Sequence, residues 1–225
     1  MRSFHPSSLW LPTVGLALTS SASPACLAGS ASATPLPTAL PATTSYNYLM
    51  PALYLNLTVQ TVINLGNLTT GGQQLLGNIV DGHLYSEPGF VPNFSASIKY
   101  AEDYLTADPL DGVAHPACIM TVFPDNGDTP FLMKIGGIQY PNPSLDGIFS
   151  SNTSNTEAIP YGYVYSVWTP TFFGGADNYT NLQNSVFVGS ETISGSGQPG
   201  TFVVGMKFSK VFNVNTSITI GHEFP

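Results

Sequence analysis

Between Tyr54 and Asn213, apolar and polar residues alternate with period two in eight short runs: Tyr54–Val62, Gln74–Tyr85, Ser97–Leu105, Val113–Phe123, Pro130–Ile138, Tyr161–Thr169, Ser185–Ile193 and Thr201–Asn213. Successive side chains of a strand point to opposite faces, so the pattern predicts about eight strands, each with one face in a core. Turn-forming residues separate the runs: Thr70-Gly71-Gly72, Glu87-Pro88-Gly89, Asp108-Pro109, Pro124-Asp125-Asn126-Gly127-Asp128 and Gly195 to Gly200. No stretch beyond about ten residues keeps a capped 3.6-residue period, which limits helix to a short piece near Leu182 or Leu68.

Eight antiparallel strands close either into a barrel or into a two-sheet sandwich. Only 8% of the residues are charged, too few to protect exposed sheet edges, and closure removes those edges. The expectation is an all-β chain forming a single closed antiparallel β-barrel, lipocalin-like in general shape. At 225 residues with 43% hydrophobic content, one domain accommodates the whole core.

The barrel domain is expected over 54–225, preceded by an extended linker or edge segment over 34–53 that holds Pro35, Pro37, Pro41 and Pro51. Residues 1–33 read as a signal peptide: Arg2, an apolar Leu9-to-Leu18 stretch too short to span a bilayer, and small residues such as Ala31-Ser32-Ala33, with cleavage between 20 and 33. The expected location is the secretory pathway or the extracellular space, without stable membrane insertion. Six Asn-x-Ser/Thr sequons, at Asn56, Asn67, Asn93, Asn152, Asn178 and Asn215, fit that route. Their glycans would solubilise a charge-poor surface, so all six side chains are expected to point outward. Cys26 can pair with Cys118 only if cleavage falls before Cys26; an unpaired Cys118 reads as a small buried hydrophobe.

Five Lys and Arg against thirteen Asp and Glu give a net charge of −8, which excludes a phosphate-tracking nucleic-acid surface. No His-x-His or His-Glu-x-x-His spacing pre-organises a metal, so neither metal nor cofactor is expected. A Gly-x-Ser-x-Gly elbow is missing, and the acids show no glycosidase spacing.

The densest polar segment runs from Tyr100 to His115. Asp108, Asp111 and Gly112 have the chemistry of a hairpin turn, in which Asp carboxylates bond the local backbone and glycine takes positive φ. Asp103, Tyr104 and His115 fall within strands, from which a side chain can reach a barrel interior. They are the candidate catalytic residues, because a buried carboxyl or imidazole is either hydrogen-bonded or shifted in pKa. Tyr161, Tyr163 and Tyr165 share one strand face in the sequence pattern. With Tyr85, Trp168, Phe187 and the cation Lys134, they are the candidate lining of an apolar pocket for a hydrophobic small molecule. Ordinary strand packing explains a tyrosine stripe as well.

The run Glu102-Asp103-Tyr104-Leu105-Thr106-Ala107-Asp108-Pro109-Leu110-Asp111-Gly112-Val113-Ala114-His115, the strand Ile119-Met120-Thr121-Val122, Gly127-Asp128 and the late Val186-Phe187-Val188-Gly189 resemble a family of bacterial and fungal β-barrel proteins labelled a domain of unknown function, DUF3237. The resemblance spans roughly 74–213. It departs at Tyr104, where the family has Trp, at the inserted Leu110, and at Ala117-Cys118-Ile119-Met120, which replaces Asp-x-Arg-Tyr and any role of that Asp or Arg. In general character the chain also resembles the fungal hetero-Diels-Alderases of tropolone-sesquiterpenoid pathways. That resemblance implies a cofactor-free cyclase of secondary metabolism. Its reaction would join a reactive quinone methide to an apolar alkene such as humulene by stereoselective cycloaddition. Such chemistry needs orientation, water exclusion and hydrogen bonds to a carbonyl. A non-catalytic barrel that binds a hydrophobic small molecule, another cofactor-free isomerase or cyclase, and a surface-interaction protein remain open alternatives. The oligomeric state is open too, a homodimer included.

Overall fold

The structure, a computed structural model, describes residues 46–149, 158–175 and 177–213. The segment expected as a signal peptide, Cys26, most of the expected linker, Asn152 and Asn215 lie outside the described residues. Among the described residues nine strands occur: β1 (Asn47–Asn67), β2 (Gln73–Ser86), β3 (Ser95–Ala107), β4 (Ala114–Pro124), β5 (Phe131–Gln139), β6 (Ala158–Ile159), β7 (Ser166–Gly174), β8 (Phe187–Gly195) and β9 (Thr201–Asn213). Each of β1 to β4 pairs antiparallel with the next, β5 pairs with β7, β7 with β8, β8 with β9, and β9 returns to β1. The fold is therefore a closed eight-stranded antiparallel barrel, with β6 a two-residue addition beside the end of β8. The β7–β8 seam is held by one ladder pair, Trp168 with Gly189.

β1 starts at Asn47, so strand takes in residues 47–53, which the sequence pattern assigns to the extended segment. Ala52 and Leu53 are fully buried there. The strand runs for 21 residues and pairs with both β2 and β9. Register shifts at Thr58/Val59, Val59/Val62 and Asn64/Gly66 bend it around the barrel, as bulges do.

Helix α1 (Pro143–Phe149) is an element the strand pattern does not announce. Its start is nonetheless written in Asn142-Pro143: the Asn142 side chain accepts the Ser144 N–H at 2.9 Å, and proline suits the first helical position. Helix α2 (Thr180–Gln183) falls at Leu182; Leu68 sits in a turn instead.

The barrel interior has two halves. In one, Phe90, Phe94, Phe131, Phe172, Tyr179 and Phe187 pack ring against ring at centroid distances of 4.9–6.2 Å. The Tyr179 hydroxyl donates to Asp128 at 3.1 Å and anchors this plug. The other half, toward α1, is incompletely filled and encloses a small cavity.

Candidate functional site

A bulge in β3 decides which polar groups enter the incompletely filled half. Lys99 pairs with Thr121 and Glu102 with Ile119, so Tyr100 and Ala101 together face one residue of β4. Tyr100 takes φ +52°, a left-handed conformation uncommon for a non-glycine residue, and is 82% exposed. Ile98 and Ala101 thus both point inward, and the alternation resumes one residue late. Without the bulge, Glu102 and Tyr104 would face the core. With it, Asp103 and Leu105 line the interior, while Glu102 and Tyr104 meet outside, where the Tyr104 hydroxyl donates to Glu102 at 2.8 Å.

The resulting cavity has a volume of about 60 Å³. Its walls are mostly aliphatic, with Phe149 and Phe202 packed 5.1 Å apart on the α1 side. The polar groups are Asp103, Cys118, Gln139, Trp168 and Glu191, and the lining contains no Lys, Arg or His. Among the described residues, no three His, Cys, Asp or Glu side chains gather as metal ligands.

Asp103 Oδ1 is buried and accepts no hydrogen bond. Loss of water disfavours its charged form and pushes its pKa up to about 6. Cys118, its ladder partner across β3 and β4, is buried, and its thiol pKa is raised well above normal by burial and by the Asp103 charge. Glu191 is better supplied. Gln139 Nε2 donates to its Oε1 at 2.6 Å, and Ser166 and the Trp168 indole also face the carboxylate. Burial raises its pKa, and these donors pull it partly back. The indole N–H closes no well-formed hydrogen bond. Trp168 is seated against Gly137, where an added Cβ would lie 2.6 Å from Val167 O and 3.1 Å from the indole.

Of the residues singled out in the sequence, Asp103 and Trp168 come together here. Phe187 is buried in the aromatic plug, edge-on to Phe90 and Phe172. His115 is exposed on the outer face of β4. Tyr85 packs outside against Tyr54 at 4.9 Å, and Lys134 lies outside over Phe173 at 5.3 Å. Tyr161, Tyr163 and Tyr165 are not on a strand: Pro160 and Gly162 (φ +77°) turn the chain out of the wall before β7 starts at Ser166. All three are exposed, with Tyr161 under the Lys207 ammonium at 5.4 Å. Asp108 and Asp111 bond backbone N–H groups two residues on at 2.8 and 2.9 Å, and Gly112 has φ +73°, all serving the turn.

Glu191 and Gln139 were missed, although alternation marks them. Glu191 follows Phe187 and Gly189 with the inward parity of β8, and Gln139 follows Met133, Ile135 and Gly137 on β5. Asn67, Asn93 and Asn178 are exposed sequon residues. Asn56 departs from the outward expectation: paired on both sides in β1, it is half-buried, with Oδ1 buried and unpartnered.

A family model described as "Protein of unknown function (DUF3237)" matches residues 48–211. The chain belongs to this family. As a DUF3237 barrel it is similar to a solved protein of unknown function from Clostridium acetobutylicum ATCC 824, at 18% identity and TM-score 0.57, covering 74% of this chain and 98% of that one. It is also similar to a conserved protein of unknown function from Rhodopseudomonas palustris, at 18% identity and TM-score 0.59, covering 75% and 100%. A beta-barrel like protein from Acinetobacter baumannii AYE matches at 16% identity and TM-score 0.51, covering 74% and 97%. These likenesses show the barrel fold and nothing finer. Among curated proteins, none matches the chain.

Proposed function

We propose that the protein is a cofactor-free cyclase or isomerase that moves protons on a small apolar compound held in the barrel. One observation carries this reading: the half-buried carboxyl of Asp103 and the buried carboxyl of Glu191, on strands β3 and β8 that lie opposite each other in the eight-stranded ring, face one largely apolar cavity. Carboxyls in unequal surroundings divide into acid and base. Asp103, whose Oδ1 meets no donor and whose pKa is raised to about 6, is the proton donor. Glu191, ringed by donors, is the carboxylate equipped to hold charge.

An alcohol next to an acidic ring hydroxyl loses water by such a pair. Protonated Asp103 gives its proton to the leaving hydroxyl, Glu191 takes the ring hydroxyl proton, and the C–O bond breaks. A neutral quinone methide and water result, and exchange with solvent resets the two carboxyls. Cycloaddition then needs only orientation and exclusion of water. Drug-sized sites hold about 300–1,000 Å³, so a cavity of about 60 Å³ admits only the reacting edge of the compound, and the rest of its ring and an alkene as large as humulene lie outside it. The leader composition and the exposed sequons Asn67, Asn93 and Asn178 support a secreted glycoprotein.

The test incubates the protein with a tropolone alcohol and humulene and scores the adduct by chiral chromatography against a no-protein control. A faster, single-enantiomer adduct is expected, with Asp103→Asn and Glu191→Gln each reducing turnover by about 10²–10⁴. Racemic product at the control rate overturns the cycloaddition form. The mostly aliphatic lining favours a second reading, a barrel that binds a hydrophobic small molecule without turning it over.

A further inference from the structure

A cavity that holds two carboxyls and no cation is selective for charge. Buried ionised groups are stable when paired, and Asp103 Oδ1 has no partner from the protein. Lys134 and Lys207, flanked in their strands by inward-facing apolar residues, both lie outside over aromatic rings. The same lining includes the rings of Trp168, Phe149 and Phe202, and aromatic faces attract cations. The aliphatic remainder admits a short hydrocarbon, and about 60 Å³ leaves room for only a few heavy atoms beyond the charge.

We infer that this cavity binds small hydrophobic primary amines in their protonated form, the ammonium paired with Asp103 and the hydrocarbon against the aliphatic wall. The inference stands on the lining and does not require turnover. Because an ammonium holds Asp103 ionised, such amines inhibit any reaction in which Asp103 donates a proton. Carboxylate and phosphate ligands are excluded by the same charges.

Calorimetric titration of the purified protein at pH 7.5 with isobutylamine, isobutanol and isobutyrate tests this, since the three probes share a hydrocarbon and differ in charge. The amine is expected to bind at least tenfold more tightly than the alcohol, and the carboxylate more weakly than the alcohol. Asp103→Asn should abolish the amine's advantage and leave the alcohol's affinity within about twofold. Should that variant not fold, lowering the pH of the natural protein to 5 should weaken the amine and not the alcohol. An amine that binds no better than the alcohol, an amine that does not bind, or an advantage that survives loss of the Asp103 charge overturns the inference. Binding without turnover sinks the catalytic reading alone, and turnover without amine preference sinks this inference alone.

Discussion

Gln139 Nε2 donates a 2.6 Å hydrogen bond to Glu191 Oε1 inside the barrel, joining residues 52 apart in the chain. They belong to β5 and β8, which are not neighbours, because β7 runs between them and places Ser166 beside Gln139 in the ladder. The contact therefore stitches the wall where the β7–β8 ladder is reduced to a single pair. It also fixes one oxygen of a buried carboxylate, and a hydrogen bond to a charged group contributes about 1.5–3 kcal/mol.

Removing that donor isolates the acid. Gln139→Leu is expected to destabilise the protein by about 2–3 kcal/mol at neutral pH in urea unfolding, because a buried carboxylate loses its fixed partner. Adding Glu191→Gln should recover part of the loss, since the charge is then gone. Equal destabilisation by the single and double variants would show that the loss does not come from leaving the Glu191 charge without its partner.

Asp103 works against stability at neutral pH. Its folded pKa of about 6 lies above the ordinary 3.8, so the unfolded chain ionises first, and the stability this group allows is fully present below about pH 4 and declines as pH rises to about 6. Asp103→Asn should flatten that window and raise stability at pH 8 by about 1–3 kcal/mol, from two units at about 1.4 kcal/mol each discounted for partial exposure. The same titration predicts that turnover dependent on protonated Asp103 falls as pH rises through about 6. Thermal unfolding and rate profiles from pH 4 to 8 check both.

Gly137 is required by the indole. Gly137→Ala places a methyl group 2.6 Å from Val167 O and 3.1 Å from the Trp168 ring, so the ring or the strand must move. The expected cost is about 1–3 kcal/mol, with a changed tryptophan emission spectrum as the tag of a shifted Trp168. Unchanged emission and stability would place the indole elsewhere.

Tyr104→Phe and His115→Ala alter only the outer face. Both should leave ligand binding and turnover unchanged and move stability by less than about 0.5 kcal/mol. The Tyr104 hydroxyl bonds an exposed Glu102, a contact screened by solvent. A large loss of turnover in either would require a second site on the outer wall.

Period-two alternation and turn chemistry, both local properties, were enough to determine an all-β chain, most of its strands, the Asp108–Gly112 turn and the burial of Cys118, and the scarcity of charge to guard sheet edges favoured a closed barrel over a sandwich. Alternation also held the signal for Gln139 and Glu191, through inward parity with Ile135 and Phe187. Which face Asp103 occupies was not local. Adjacent residues cannot both point inward, and the choice between Asp103 and Tyr104 was made by the bulge at Tyr100, whose φ of +52° no propensity assigns to tyrosine. The tyrosines at 161, 163 and 165 satisfy the strand pattern, yet Pro160 and Gly162 lift them out of the wall, and β7 takes up its pairing with β5 only at Ser166. Closure brought Glu191 opposite Asp103, because only a ring of eight strands sets β3 across from β8. Alternation fixes a side chain's face relative to its neighbours, whereas bulges, register and ring closure fix which face is the inside.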